Sequence, residues 1–331
     1  MKMSLSDAHA LISNALIRSK VSKENAPSVA HALVTAEASG QGGHGFRRVV
    51  AYCAQARAGK VDGFAVPILE KPTPGVLRID AQFGFAYPAL DLMAAHLPDM
   101  ARRQGIAIAS IHKSHHAGVM GLTVERLAEM GLASMMFANA PSAMAAWGGR
   151  RPMFGTNPIA FGVPVGDAGD PIVIDMALSK VARGKIMAAK QKGAVIPDDW
   201  ALDADGNPTT DPIKALDGTM VPAGGVKGAA LAMMVELLAA GLTGAQFGHQ
   251  SSSLFDDKGK PPALGQMIIA IDPQATGGPN VSDHLAEIAN EISAEEGVRL
   301  PGRRGKIARQ QAELDGLDIE DEIVTEINKI E

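Results

Sequence analysis

Residues 106–138 read IAIASIHKSHHAGVMGLTVERLAEMGLASMMFA, and the order of patterns within them decides the fold class. Ile106 to Ile111 is an apolar run of strand length, Gly118 to Met130 is periodic in the manner of a helix, and Leu132 to Ala138 is apolar again. Strand, helix and strand in immediate succession place a β-sheet in mid-chain. A helix over about 88–104, stopped by Gly105, leads into it.

Outward from this stretch the chain becomes helical. Leu5, Ala8, Leu11, Ile12, Ala15 and Leu16 follow a Ser4 or Ser6 cap at three- and four-residue spacing. A second helix is expected over 25–39, with Pro27 in its first turn and Gly40 as its stop, and a third over 46–58 before Gly59. Short β-like runs lie at 66–69 and 76–79, and further strands are expected at 158–163, 172–174 and 267–271. Residues 197–221 are rich in turn formers and read as an irregular connection. Helices return over 227–241, read as buried, and over 282–296, and a charged tail from Ala308 closes the chain as helix. The fold class is α/β in the mixed α+β sense: a helical N-terminal part and a mixed sheet.

Composition removes several functions. Apolar residues at 46% and charged residues at 20% are ordinary for a globular chain of 331 residues and exclude wholesale disorder. A net charge of −5 and an aromatic content of 4% offer nucleic acid neither a basic face nor stacking platforms. Cys53 stands alone, which fits a reducing compartment. The N-terminus reaches Asp7 without an apolar core, and the apolar stretch 228–242 is interrupted by Glu236 and falls short of the roughly 20 residues a membrane span needs. A soluble cytoplasmic protein with no membrane partner is expected.

No Gly-x-Gly-x-x-Gly follows a strand, and the P-loop, His-Glu-x-x-His and Gly-x-Ser-x-Gly motifs are missing. The densest polar cluster runs from His112 through His115, His116 and Gly118 to Met120, between a strand and a helix start whose free N–H groups suit a phosphate or carboxylate. A histidine here could exchange protons near neutrality; the cluster also reads as a plain polar loop or, less readily, as metal ligands. In the glycine-rich run 40–48, His44, Arg48 and Tyr52 stand at i, i+4 and i+8 and would share one helix face. Arg48 would hold a carboxylate in a bidentate fork, or else be one of a solvated arginine pair. Gly155-Thr156-Asn157-Pro158, Asp175-Met176-Ala177-Leu178-Ser179, Lys227-Gly228 and Arg299-Leu300-Pro301-Gly302 are each weak alone, reading as turns and caps.

Together and in this order these segments resemble the type-2 malate/L-lactate dehydrogenases, a family that includes ureidoglycolate dehydrogenase, sulfolactate dehydrogenase and piperideine-2-carboxylate reductase. The resemblance covers nearly the whole chain. It implies a homodimer that binds NAD or NADP on a mixed sheet that is not a Rossmann fold. Residues 1–75 with about 299–331 would form a helical, substrate-side domain, and 76–298 the cofactor-binding region. It implies His116 and His44 as catalytic residues, with Arg48, Tyr52 and Thr156 lining a small carboxylate substrate. Cofactor contacts are implied at Ala117, Gly118, Val119, Met120, Asp175, Met176, Ala177, Lys227, Gly228, Arg303 and Arg304, with no metal. The implied reaction moves a hydride between nicotinamide and C2 of a small 2-hydroxy or 2-oxo acid.

Departures qualify the substrate. Gly43 stands where the family commonly has serine, Gly184-Lys185-Ile186 lacks the aspartate of the imine reductases, and Ala140 replaces a residue that is often polar. His115-His116, by contrast, echoes those reductases, so reduction of a cyclic 2-imino acid is the alternative. From other classes come a metal-dependent hydrolase using His112, His115, His116 and Asp175, and a catalytically inactive cofactor-binding module.

Overall fold

The computed structural model describes residues 1–166 and 169–330. Its helices are α1 (Leu5–Arg18), α2 (Asn25–Ala38), α3 (Val49–Arg57), α4 (Ala86–Gln104), α5 (Met120–Glu129), α6 (Arg183–Lys192), α7 (Pro212–Asp217), α8 (Val226–Glu236), α9 (Pro273–Gly277), α10 (Val281–Ala294), α11 (Arg303–Asp315) and α12 (Asp321–Asn328). Its strands are β1 (Lys2–Met3), β2 (Ile68–Thr73), β3 (Val76–Asp80), β4 (Ile106–Ser114), β5 (Ala133–Ala138), β6 (Met144–Ala145), β7 (Pro152–Phe154), β8 (Ile159–Val163), β9 (Ile172–Met176), β10 (Ala201–Leu202), β11 (Thr219–Met220), β12 (Leu264–Ile271) and β13 (Leu317–Asp318).

Seven strands form one mixed sheet in the order β2-β3-β4-β12-β5-β8-β9. Only β3 and β4 run parallel, and α4 makes the crossover that a parallel pair requires. Strand β12 arrives from late in the chain and inserts between β4 and β5, pairing Met267 with Ser110 on one side and with Phe137 on the other. Side chains alternate across it. Ile268 and Ala270 join the core beneath α1–α5, whereas Met267 joins a second core with Ile186, Ala215 and Val235 from α6, α7 and α8.

The two ends of the chain meet. β1 pairs with β13, α12 packs on α1 and α3, and α11 packs on α2. Ser4 starts α1 by accepting the Asp7 N–H at 3.1 Å, and Gly105 ends α4 in the left-handed region at φ 78°.

Three local expectations are revised. The helix foreseen over 46–58 starts as a 3₁₀ turn, Phe46–Arg48, that leads into α3, with a second 3₁₀ turn, Gly42–His44, before it. The Glu37 carboxylate caps its start, accepting the Phe46 N–H at 2.8 Å, and a Cβ on Gly45 would lie 2.2 Å from that carboxylate. The helix over 227–241 passes into a π-helical turn, Leu237–Gly241, where the Thr243 hydroxyl takes the Ala239 carbonyl at 2.6 Å. Nor is that helix buried all round: Leu231, Met233, Met234 and Leu237 are exposed. The C-terminal tail begins its helix earlier, at Arg303, and Gly316 divides it.

Strand β12 fits only because Gly265 lacks a side chain, since a Cβ there would lie 1.8 Å from the Ala239 carbonyl oxygen. Gly265→Ala should destabilise the fold by about 2–3 kcal/mol, at the upper end of overpacking costs, because backbone cannot rotate out of the way. Equilibrium urea unfolding checks this; an unchanged midpoint would contradict the close packing of β12 on the π turn.

Candidate active site

A cleft of about 550 Å³ opens where β4, β5, β8 and β9 deliver their connecting segments. His44, Arg48, the run 116–120, Thr156, Asp175 and Ala177 all line it. Residues as far apart in sequence as His44 and Ala177 thus converge on one space.

His116 is held from behind. Its Nδ1 lies 2.7 Å from the Tyr52 hydroxyl, which lies 3.3 Å from the Tyr87 hydroxyl. Both tyrosines are buried, so Tyr52 supports the histidine from beneath the cleft wall instead of lining it. Hydroxyls can donate or accept, so the tyrosine pair accommodates either His116 tautomer. Gly118, at φ 67°, lets the chain turn here, because a Cβ would stand 2.6 Å from the Tyr87 hydroxyl. The His44 ring stacks on His116 with centroids 5.2 Å apart.

Arg48 reaches the same space despite the broken helix phase. Its Nε donates to the Gly43 carbonyl at 3.0 Å, and its guanidinium lies 4.7 Å from the centre of the Phe255 ring. Among the described residues no carboxylate pairs with it, which leaves its terminal nitrogens for a ligand. Arg47 turns away and pairs with Glu320. Gly43 is exposed, and a Cβ there would meet nothing within 4 Å, so its lack of a side chain is not sterically imposed.

The imidazoles are neutral at pH 7. Burial, reinforced by the Arg48 charge, lowers His44 to about 4. Burial, then Arg48 and Lys60, lowers His115 to about 3, and the same burial with Arg48, His44 and His115 holds His116 well below its ordinary range. His115 faces Tyr52 and Phe85, and neither of its ring nitrogens has a partner. It does not line the cleft.

The start of α5, read from sequence as an anion site, already holds a carboxylate. Asp175 Oδ2 accepts the Gly121 N–H at 2.7 Å, and burial raises its pKa against the pull of the Gly121 and Met120 amides. Asn157, at φ 39°, donates to the Ala232 carbonyl at 2.9 Å and to Glu236 at 2.7 Å, tying the turn that presents Thr156 to α8. Arg304 lines an adjoining hollow of about 440 Å³ that shares Gln41, Val119 and Asp175 with the cleft. Met176, Lys227, Gly228 and Arg303 line neither. Gly228 has a packing reason, since a Cβ would lie 1.8 Å from the Ala223 carbonyl oxygen.

Sequence reading missed Gln41, Arg183, Ser251, Ser253, Leu254 and Phe255, all of which line the cleft. Arg183 opens α6, has no partner among the described residues, and its pKa is lowered by burial. The hydrolase quartet is not assembled: His112 faces Asp80 at 3.6 Å, and His115 is sealed in the core. Among the described residues no group of three or more His, Cys, Asp or Glu side chains is placed to hold a metal ion.

The sequence profile of the malate/L-lactate dehydrogenases matches residues 3–328. A (2R)-3-sulfolactate dehydrogenase (NADP(+)) of Chromohalobacter salexigens is 47% identical over 98% of this chain and 96% of its own. A Δ1-pyrroline-2-carboxylate reductase of Ancylobacter novellus is 38% identical over 100% of this chain and 97% of its own. The crystal structure of Δ1-piperideine-2-carboxylate reductase from Pseudomonas syringae superposes with a TM-score of 0.94 at 35% identity, covering 100% of both chains.

The buried imidazoles make stability depend on pH. Below about pH 6.5 the unfolded chain binds protons that native His44 and His115 refuse until about 4 and 3, so stability is full above 6.5 and falls as pH drops. Between pH 7 and pH 5 the loss should approach about 2 kcal/mol per histidine. His115→Leu should remove about one histidine's share, read as urea midpoints at the two pH values; an unaltered pH dependence would show that His115 protonates freely.

Proposed function

The chain belongs to the malate/L-lactate dehydrogenase family and is an NAD(P)-dependent oxidoreductase of small acids, and from that premise we propose the following chemistry. The substrate is a small 2-hydroxy or 2-oxo acid, oxidised or reduced at C2. One observation carries this reading: Arg48, with no acidic partner among the described residues, shares a cleft with His116, whose far nitrogen is fixed by Tyr52.

The cleft and its adjoining hollow fit a dinucleotide. They share Asp175, and Arg183 and Arg304 bring into them cations with no partner among the described residues, suited to phosphate. The segment 117–120, Asp175, Ala177, Arg183 and Arg304 would hold NAD or NADP; Met176, Lys227, Gly228 and Arg303 would act from just outside. When bound, the nicotinamide gives or accepts the hydride.

The chain supplies position and the proton. Arg48 grips the substrate carboxylate with its terminal nitrogens. In the oxidative direction His116 takes the C2 hydroxyl proton on Nε2 while Nδ1–H donates to Tyr52; in reduction the proton returns along the same bond. His44, stacked on His116 with an unpartnered Nδ1, orients the substrate or relays the proton, and Thr156 closes the opposite wall.

The relatives named as cyclic imino-acid reductases keep that reaction as the second reading. The 2-oxo acid is favoured because His115, the residue that echoed those enzymes, is walled off from the cleft, and Gly184 offers no carboxylate. A homodimer is supported by the exposed apolar face of α8. No helix among the described residues is long and apolar enough to cross a membrane. A cytoplasmic setting is supported by the free, buried Cys53.

His116→Ala should lower kcat by roughly 10²–10⁴ and leave cofactor affinity within a few-fold. Retained turnover would remove His116 from the proton-transfer role. Arg48→Lys should cost about 1.5–3 kcal/mol in kcat/KM on every acid tested, because all present the same carboxylate. A screen of 2-oxo and cyclic imino acids, followed by NADH and NADPH absorbance, checks both and decides between the two substrate readings.

A further inference from the structure

Residues 242–263 form no helix or strand, an unusually long irregular segment for a well-packed chain, yet they supply one wall of the cleft. Its order comes from a lysine. The Lys60 side chain is fully buried, and its ammonium donates to the Ser253 carbonyl at 2.6 Å and the Asp256 carbonyl at 3.0 Å and pairs with Asp256 Oδ1 at 3.3 Å. Three donors meet three acceptors, all on one loop. Gln55, buried on α3, adds bonds from its Nε2 to the Leu254 carbonyl at 3.1 Å and the Asp256 carbonyl at 3.0 Å.

Between these anchored peptides Phe255 extends its ring toward the Arg48 guanidinium. We propose that Lys60 and Gln55 are positioning residues for the substrate: they latch the loop 253–256 so that Phe255 holds Arg48 in the orientation that clamps a carboxylate. A buried ammonium is costly unless its donors are satisfied, so the loop cannot lift away without stranding Lys60. The Phe255 face then fixes the plane of the guanidinium from one side and the Gly43 carbonyl from another, leaving the terminal nitrogens aimed into the cleft. The inference rests on Arg48 being the carboxylate clamp.

Oxamate, a 2-oxo acid mimic that needs no turnover, tests it by calorimetry on protein saturated with NADPH. Lys60→Met should raise the oxamate Kd about tenfold while the NADPH Kd stays within about twofold, and trypsin should cut after exposed Lys258 faster than in the unaltered protein. The KM of any turned-over acid should rise in parallel with little change in kcat. Phe255→Leu, at a half-exposed ring that folding does not need, should weaken oxamate several-fold without altering the trypsin rate, and it carries the test if Lys60→Met fails to fold. Unchanged oxamate affinity in folded Lys60→Met, or in Phe255→Leu, overturns the latch. Unaltered protein that binds oxamate but reduces no 2-oxo acid sinks the proposed reaction alone; failure of that protein to bind oxamate sinks both.

Discussion

The insertion of β12 between β4 and β5 is the constraint on which the rest depends. It joins β2-β3-β4 to β5-β8-β9, and its buried side chains divide between the two cores. It also places the chemistry. Gln266 donates to the His115 carbonyl at 3.1 Å, and the Gly265 N–H reaches the Asn139 side chain at 2.9 Å, so one strand pins both the histidine turn and the segment after β5. A contact of this sequence separation closes late and slowly, which makes the cleft a product of the completed sheet and not of any local motif.

Once the sheet is closed, the site is governed by dryness. Tyr52, Tyr87 and His115 are buried, and the half-buried His44 and His116 stack beside them at the cleft wall, with the guanidinium of Arg48 as a charge that lowers the pKa of all three imidazoles. That charge, unpaired among the described residues, disfavours protonation of each ring and favours an anion. An arriving carboxylate therefore does two things at once: it satisfies Arg48 and it relieves the penalty on a positive His116. Binding and proton affinity are coupled through a single side chain.

Much of this was legible in sequence. The strand–helix–strand at 106–138 and the mixed class follow from apolar period, and the clusters around His44 and His116 from glycine-rich spacing, whereas Thr156, Asp175 and Ala177, which also line the cleft, were named only through the family resemblance. The illegible parts have physical reasons. The 3₁₀ first turn Phe46–Arg48 and its cap were not foreseen because the acceptor of the Phe46 amide is Glu37, a carboxylate nine residues earlier that no local period announces. Helix α6 buries only Ile186, so no apolar period announces it or Arg183. Lys60 reads as a surface lysine, and only the loop folded over it shows otherwise. Tyr52 was found by spacing, but its place beneath the cleft depended on where Tyr87 and His116 would come to rest.

The pairing of β1 with β13 carries a consequence for the making of this protein. Ile12, Leu16 and Leu33 belong to a core completed by Leu317, Ile319, Val324, Ile327 and Ile330. A ribosome makes those residues about 300 positions after the helix α1 that they cover. The nascent chain must therefore carry an uncovered apolar surface while the intervening residues are made. That is a long exposure to aggregation and a natural task for a chaperone that binds nascent helices. Deleting α12 would prolong that exposed state indefinitely, even though no residue of the cleft would be missing.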